Sequence, residues 1–390
     1  MNPEDYISTI VRDVPSSGIR KFFDIASEMK DCISLGVGEP DFDTPWNIRE
    51  SAIYALESGR THYTSNHGST DLRKEIINYL ELRFGLEYAL NQIVVTVGAS
   101  EALDLAFRAI MNPGDEVLVP APSYVSYMPG VSFAGGKPVP MTLKEEENFR
   151  LKPESLLDNI TSRTKAIVVP FPNNPTGAIM TKEDYEKIIP IIVEHDLLVI
   201  TDEVYCELTY GGKHCSIASL PGMQERTIVI NGFSKAFAMT GFRLGYAAGP
   251  KPLIDAMVKI HQYSMLCASV FSQDAGVEAM RYECSHGFPN VRRMTAEYNR
   301  RRKLMYSSLN DMGLHCFEPL GAFYIFPNIS STGLESEEFC KRLLFEKKVA
   351  CVPGTAFGEG MGNYVRCSYA SSLANLKEAL ARIKSFITEL

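Results

Sequence analysis

A succession of short apolar runs, each ending in small or polar residues, constrains the fold more than any other feature of the chain. Ile93-Val-Val-Thr-Val97, Glu116-Val-Leu-Val119, Lys165-Ala-Ile-Val-Val-Pro170, Leu197-Leu-Val-Ile-Thr201 and Thr227-Ile-Val-Ile230 read as strands. Helical patterns separate them. Strands buried on both faces read as nearly continuous apolar runs, and their alternation with helices implies a mostly parallel sheet covered on both sides. Ligands of such sheets bind beyond the carboxyl ends of the strands. Gly98-Ala-Ser100, Tyr124, Asn174, Asp202 with Tyr205, and Ser234-Lys235 all fall just there. This shared placement brings them to one crevice.

Lys235 lies in small and apolar company, within Asn231-Gly-Phe-Ser-Lys-Ala-Phe-Ala-Met-Thr-Gly-Phe-Arg-Leu-Gly245. Desolvation disfavours the ammonium form, and a neutral amine is a nucleophile that condenses with aldehydes. Arg243, in the same stretch, is a fixed cation suited to bidentate capture of a phosphate. Gly98-Ala-Ser100 reads as a turn between a strand and the helix from Glu101 to Met111, and a helix N-terminus of this kind attracts anions. Asp202 ends a buried strand, where a carboxylate is costly unless paired.

The flanking regions read differently. Residues 1–45 are irregular, with a turn at Pro15-Ser-Ser-Gly18 and helical spacing from Ile19 to Met29. Ile33-Ser-Leu-Gly-Val-Gly38 is a short strand, and Gly38 either serves the turn or admits a ligand to the backbone. Helices are expected from Trp46 to Ser58 and from Asp71 to Phe84, the latter ended by Gly85. Thr181 caps a helix, with Asp184 following. Beyond residue 250, helices are expected at 251–261, 288–312, 336–346 and 373–388. Strands are expected at Gly321–Phe326, Val349–Val352 and Tyr364–Ser368, which together suggest a small α+β domain. Arg366 sits mid-strand, and its charge demands either a structural carboxylate or a substrate carboxylate.

The 390 residues suggest more than one domain, and the net charge of −8 argues against nucleic acid or an anionic membrane as main partner. No apolar run is long enough for a membrane span, and no signal peptide is read at the N-terminus. The nine cysteines are odd in number and contain no C-x-x-C pair. Reduced thiols in the cytoplasm, and no metal, are expected.

An imine-forming lysine, an anion site and a stacking aromatic together suggest a phosphorylated aromatic aldehyde. Pyridoxal 5′-phosphate fits. Asp202 then faces the ring nitrogen and keeps it protonated, so that the ring accepts electrons. Tyr205 and Asn174 hydrogen-bond the phenolate oxygen. Gly98, Ala99, Ser100, Ser234 and Arg243 hold the phosphate, and Tyr124 stacks on the ring. Arg366 holds an α-carboxylate, and Lys235 shuttles a proton as base and acid.

These stretches resemble the class I/II aminotransferases of the aspartate aminotransferase superfamily, pyridoxal-phosphate fold type I, bacterial and archaeal branch. The matching motifs are Gly36-Val-Gly-Glu-Pro-Asp41, Tyr63 with Gly68, Gly98-Ala-Ser100, Pro122-Ser-Tyr124 and Asn173-Asn-Pro-Thr-Gly177. They continue with Asp202-Glu-Val-Tyr205, Ser234 to Arg243, and Tyr364-Val-Arg366. They run in family order over nearly the whole chain. The resemblance implies a homodimer with shared active sites, in which Tyr63 reaches the neighbouring subunit's phosphate. It places Gly38 against the substrate carboxylate. It also implies a large cofactor domain at 46–285, with 1–45 and 286–390 forming the small domain. Many relatives carry serine where this chain has Gly232, so a phosphate contact is expected to be missing there.

The expected reaction moves an amino group from an L-amino acid to a 2-oxo acid through the aldehyde and amine forms of the cofactor in turn. His261-Gln-Tyr-Ser-Met-Leu-Cys267 lies where dicarboxylate-specific relatives place a second arginine, and no arginine occurs between Lys259 and Asp274. Ile19, Val37 and Tyr124 also favour alanine-like, aromatic or other neutral substrates. The alternatives are a carbon–sulfur β-lyase and an aspartate-type transaminase.

Overall fold

A computed structural model of the protein describes residues 1–15 and 29–390. The expected helical segment from Ile19, and Ile19 itself, lie outside the described residues. Among the described residues the strands, in chain order, are β1 (Ile33–Ser34), β2 (Ile93–Thr96), β3 (Glu116–Ala121), β4 (Lys137–Thr142), β5 (Thr164–Val169), β6 (Leu198–Asp202), β7 (Thr227–Gly232), β8 (Gly245–Ala248), β9 (Tyr324–Ile325), β10 (Val349–Ala350), β11 (Val352–Pro353) and β12 (Val365–Ser368).

The central sheet has seven strands in the order β2-β8-β7-β6-β5-β3-β4. Only β8 runs against its neighbours; the other pairings are parallel. Side chains alternate between the two faces of a strand, so one sheet feeds two cores. Val117, Val119, Val168, Ile200, Ile228 and Ile230 pack with Leu105, Phe107, Ile254 and Met257 on one face. Leu118, Ile167, Val169 and Val199 meet Tyr185, Ile188 and Ile192 on the other. Full burial of each such aliphatic side chain contributes roughly 1.5–3 kcal/mol. This two-sided burial is why these strands read as unbroken apolar runs.

A smaller assembly carries strands of its own. Strands β11, β12 and β9 form an antiparallel sheet, and β1 pairs with β10 in parallel. One core joins Leu35, Tyr298, Met305, Phe323, Tyr324, Leu343, Leu380 and Phe386. The helix Pro289–Asp311 links the two bodies: Val291 belongs to the sheet-side core, while Tyr298 and Leu309 belong to the smaller one.

Several sequence expectations need correction. Gly98-Ala-Ser100 is not a turn before a helix but the first turn of the helix Gly98–Ile110. The strand expected over Val349–Val352 is split at Cys351: Val349–Ala350 pairs with β1 and Val352–Pro353 with β12. The strand expected at Gly321–Phe326 shrinks to Tyr324–Ile325. Strands β4 and β8 and the helix Val270–His286 were not anticipated. Pro138 and Pro140 disguise β4, which is tolerated because it is an edge strand. Small residues disguise β8 and that helix. Elsewhere the caps fall where expected: Gly85 is left-handed at φ 68°, and Thr181 and Asp184 form a capping box.

The helix Gly98–Ile110 comes very close to β8. A Cβ on Gly245 would lie 2.5 Å from the Ala99 nitrogen and the Gly98 carbonyl carbon. Gly245→Ala is expected to destabilise the protein by about 1–3 kcal/mol through overpacking. The check is the urea-unfolding midpoint, which should fall; an unchanged midpoint contradicts this packing.

Candidate active site

Parallel strands β5, β6 and β7 end side by side, and the polar residues at their tips face the smaller assembly. Lys235 follows β7 in the short helix Phe233–Ala236. Its Nζ donates to the Gly38 carbonyl and lies 5.8 Å and 5.6 Å from the ring centres of Tyr205 and Phe323. Burial pulls its pKa down to about 8; Glu39 opposes the change, while the Arg366 and Arg243 cations reinforce it. About a tenth of the amine is then neutral at pH 7, against a trace for an ordinary lysine, and that fraction is the nucleophile.

Asp202 is the last residue of β6 and is buried. Tyr127 donates its hydroxyl to Oδ2 at 2.8 Å, and the Val204 N–H donates to Oδ1 at 3.2 Å. Burial nonetheless raises the Asp202 pKa to about 6. No cation among the described residues pairs with this carboxylate. It is positioned to stabilise a positive charge brought in by a ligand.

Arg366 comes from β12 and is 3% exposed. Nη1 donates to Asn174 Oδ1 at 2.9 Å and Nη2 to the Gly36 carbonyl at 2.5 Å, while the buried Nε has no partner. The rings of Tyr324 and Phe357 lie 4.4 Å and 5.0 Å from its guanidinium carbon. A buried guanidinium without a carboxylate is expensive, since a buried charge normally requires a counter-charge. The structural carboxylate that the sequence left open is absent among the described residues.

Arg243 and the helix Gly98–Ile110 form another cationic corner. Arg243 takes a left-handed backbone, φ 49°, and donates from Nη1 to the Thr240 carbonyl at 3.0 Å. A Cβ on Gly98 would lie 2.7 Å from Arg243 Nη2, and Gly98 itself has φ 77°. Glycine thus permits both the backbone turn and the close guanidinium. Ala99 and Ser100 complete the first helical turn, where unpaired N–H groups favour an anion. Behind it, Glu101 accepts from the Val97 N–H at 2.5 Å and meets buried His261 at 2.7 Å.

The remaining sequence candidates distribute unevenly. Tyr205 is buried, with its hydroxyl 2.8 Å from that of Tyr324. Tyr124 is half-buried and edge-on to Tyr127, their ring centres 5.6 Å apart. Ser234 flanks Lys235 in the same short helix. Tyr63 is 82% exposed and is not brought to Lys235 within the chain. At Gly232 a Cβ would lie 3.3 Å from the Leu244 carbonyl oxygen, so a side chain there would crowd β8. The sequence reading missed Tyr127, Tyr324, Glu101 and His261. Tyr127 stood within the same post-strand segment as Tyr124, which was a usable signal; the others come close only through the fold.

The residues fit pyridoxal phosphate. A depressed amine lies within electrostatic reach of an unpaired carboxylate and of the Arg366 and Arg243 cations, with aromatic rings beside it. The glycine hollow at Gly98 beside Arg243 suits the approach of a phosphate. The family comparison agrees. The model for aminotransferases of class I and II matches residues 30–383. The chain belongs to this family.

This aminotransferase is 50% identical to the aspartate aminotransferase of Pyrococcus abyssi, over 96% of this chain and 97% of that protein. It is 46% identical to aromatic-amino-acid aminotransferase 2 of Thermococcus litoralis, over 96% and 97% of the two chains. The crystal structure of the aromatic aminotransferase from Pyrococcus horikoshii superposes with a TM-score of 0.90 at 46% identity, covering 95% of this chain and 99% of that one. Members of the family use pyridoxal phosphate.

Asp202→Asn separates function from stability. The folded pKa of Asp202 lies above its ordinary 3.8, so its ionised form opposes folding, and stability is lost as pH rises from about 4 through 6. In the cofactor-free protein Asp202→Asn should therefore stabilise near pH 7, by up to about 3 kcal/mol, with the gain vanishing below about pH 4. Urea unfolding across this range is the check. A destabilised variant at pH 7 would show that the carboxylate is held by a charge unaccounted for here.

Proposed function

We propose that this enzyme transfers the amino group of an L-amino acid with a neutral, preferentially apolar or aromatic, side chain to a 2-oxo acid. The observation that carries the reading is a pair of cationic groups without an ion-pair partner among the described residues: an amine depressed to about 8 at Lys235 and the buried guanidinium of Arg366. One asks for an electrophile and the other for an anion, and an amino acid bound to an aldehyde cofactor supplies both.

Pyridoxal phosphate, when bound, supplies the aldehyde that takes up an amino group and a ring that accepts electrons from the substrate Cα. Arg243, Ser234 and the helix start at Gly98, Ala99 and Ser100 would hold its phosphate, with Tyr63 of a second copy completing the grip. Tyr124 would lie over its ring. Asp202, oriented by Tyr127, would keep a proton on the ring nitrogen. Tyr205 and Asn174 would donate to the phenolic oxygen. Arg366 would grip the substrate α-carboxylate with Gly38 alongside, which would fix the Cα near Lys235. Lys235 would act as the base that takes the Cα proton and as the acid that returns it.

The lean toward neutral side chains rests on the arginine-free stretch between Lys259 and Asp274 and on half-exposed Val37, between the Gly36 and Gly38 carbonyls. The named relatives include both aspartate and aromatic enzymes. The division into a large domain at 46–285 and a small domain at 1–45 with 286–390 is supported by the separate sheets: β2 to β8 all lie within 46–285, and β1 and β9 to β12 all lie outside it. A homodimer is supported by exposed Trp46, Tyr54, Tyr63, Tyr263 and Met265. A cytoplasmic setting is supported by nine cysteines without a disulfide. Among the described residues no helix is long and apolar enough to cross a membrane.

A donor screen against pyruvate and 2-oxoglutarate tests the substrate class. Aromatic or aliphatic donors should exceed aspartate in kcat/KM by roughly tenfold or more, a factor that corresponds to about 1.4 kcal/mol of differential binding. Aspartate as best donor would overturn the lean, and pyruvate with ammonia released from cystathionine as the main reaction would point to a lyase. Lys235→Ala should abolish transamination while the variant still binds cofactor; retained turnover would refute the proton-transfer role. Arg366→Ala should raise KM for every amino donor, with a loss in kcat/KM of roughly 10²-fold or more.

A further inference from the structure

We propose that Tyr324 is a positioning residue that couples the state of the carboxylate-binding guanidinium, Arg366, to the hydroxyl of Tyr205. Substrate binding at one end of the site thereby sets hydrogen-bond donor strength at the other. The inference rests on the roles given above to Tyr205, Arg366 and pyridoxal phosphate, and it assigns a residue those roles do not use.

Strand pairing puts Tyr324 in place. Strand β9 pairs with β12 so that Tyr324 lies opposite Ser368, one same-face position from Arg366. Diagonal neighbours on one face are within reach of long and aromatic side chains. The guanidinium carbon accordingly sits 4.4 Å from the Tyr324 ring centre, within the range of a cation over an aromatic face. The same phenol ends 2.8 Å from the Tyr205 hydroxyl, with the rings edge-on at 78°. Gly38 closes the third side: a Cβ there would lie 2.6 Å from Tyr324 Oη, so the hydroxyl has little freedom to leave. Both phenols are fully or almost fully buried.

Electrostatics sets the direction of the hydroxyl pair. Burial raises both phenols, and the Arg366 charge opposes this at both; at Tyr324 it stands next after burial, whereas at Tyr205 it comes behind Tyr324, which raises Tyr205 further. Tyr324 is therefore the better donor. It gives its proton to the Tyr205 oxygen and leaves the Tyr205 proton for the cofactor's phenolic oxygen. When a substrate carboxylate pairs with Arg366, the field on the Tyr324 ring falls and its donation weakens. Tyr205 then becomes a weaker donor at the cofactor. Only hydrogen-bond strength changes; no bond is broken.

The test is the pH titration of the visible cofactor band in the substrate-free holoenzyme, for the wild type, Tyr324→Phe, Tyr205→Phe and the double variant. Weaker donation leaves more negative charge on the phenolic oxygen beside the Lys235 nitrogen and favours its protonated form. The transition in Tyr324→Phe should therefore move to higher pH, by roughly half a unit. In the Tyr205→Phe background the second change should add nothing, because the effect passes through Tyr205. An unmoved transition in Tyr324→Phe, or an equal shift without the Tyr205 hydroxyl, overturns the proposal. Gly38→Ala, which displaces the Tyr324 hydroxyl sterically, should shift the band in the same direction. It decides the matter if Tyr324→Phe does not accumulate, and an unmoved band there is again contrary. A wild-type protein with no titrating band overturns the cofactor reading and this inference with it.

Discussion

The structure turns on two cations, part-buried Lys235 and buried Arg366, that form no ion pair with a carboxylate among the described residues. Lys235 and Arg366 lie at the junction of the large sheet and the smaller assembly, and each is satisfied by a backbone carbonyl, of Gly38 and Gly36 respectively. A carbonyl dipole offsets part of the desolvation cost and leaves the charge itself uncompensated. Bound ligands that bring negative charge or accept the amine relieve that cost. The site is thus preorganised for what it binds, and the fold pays for it with locally unfavourable electrostatics.

The loop from Leu35 to Thr44 makes this arrangement possible. It leaves β1, passes both cations, and is fastened on either side. Arg301 grips Asp41 with both carboxylate oxygens at 2.8 Å, and the Thr44 hydroxyl donates to the Ala238 carbonyl at 2.6 Å. Glu39 accepts from the hydroxyl of Thr240, the residue whose carbonyl holds Arg243. One short segment therefore connects the long helix Pro289–Asp311, the amine and the phosphate corner.

Much of this was legible in the sequence because its signals are local. Parallel strands buried on both faces leave unbroken apolar runs, and the residues that follow them must gather at one edge. Lys235, Asp202 and Asn174 are read this way, and Arg243 from the stretch that it shares with Lys235. What the sequence hid depends on contacts between distant segments. Tyr127 beneath Asp202, Tyr324 between Arg366 and Tyr205, and the Glu101–His261 pair behind the helix start have no spacing that marks them. The split at Cys351 was hidden for a related reason: one apolar run serves two different sheets, and periodicity cannot say which partner each half will find. Gly98-Ala-Ser100 was read as a turn because small residues usually mark one; here they begin a helix and allow Arg243 and β8 to come close.

The central claim is that Lys235 is the amine that joins the cofactor. Borohydride reduction of the yellow holoenzyme, followed by proteolysis and mass spectrometry, addresses it directly. The expected result is a single pyridoxyl adduct on the peptide containing Lys235, with loss of the visible band. An adduct on a different lysine, or a reduced protein carrying none, would contradict the account.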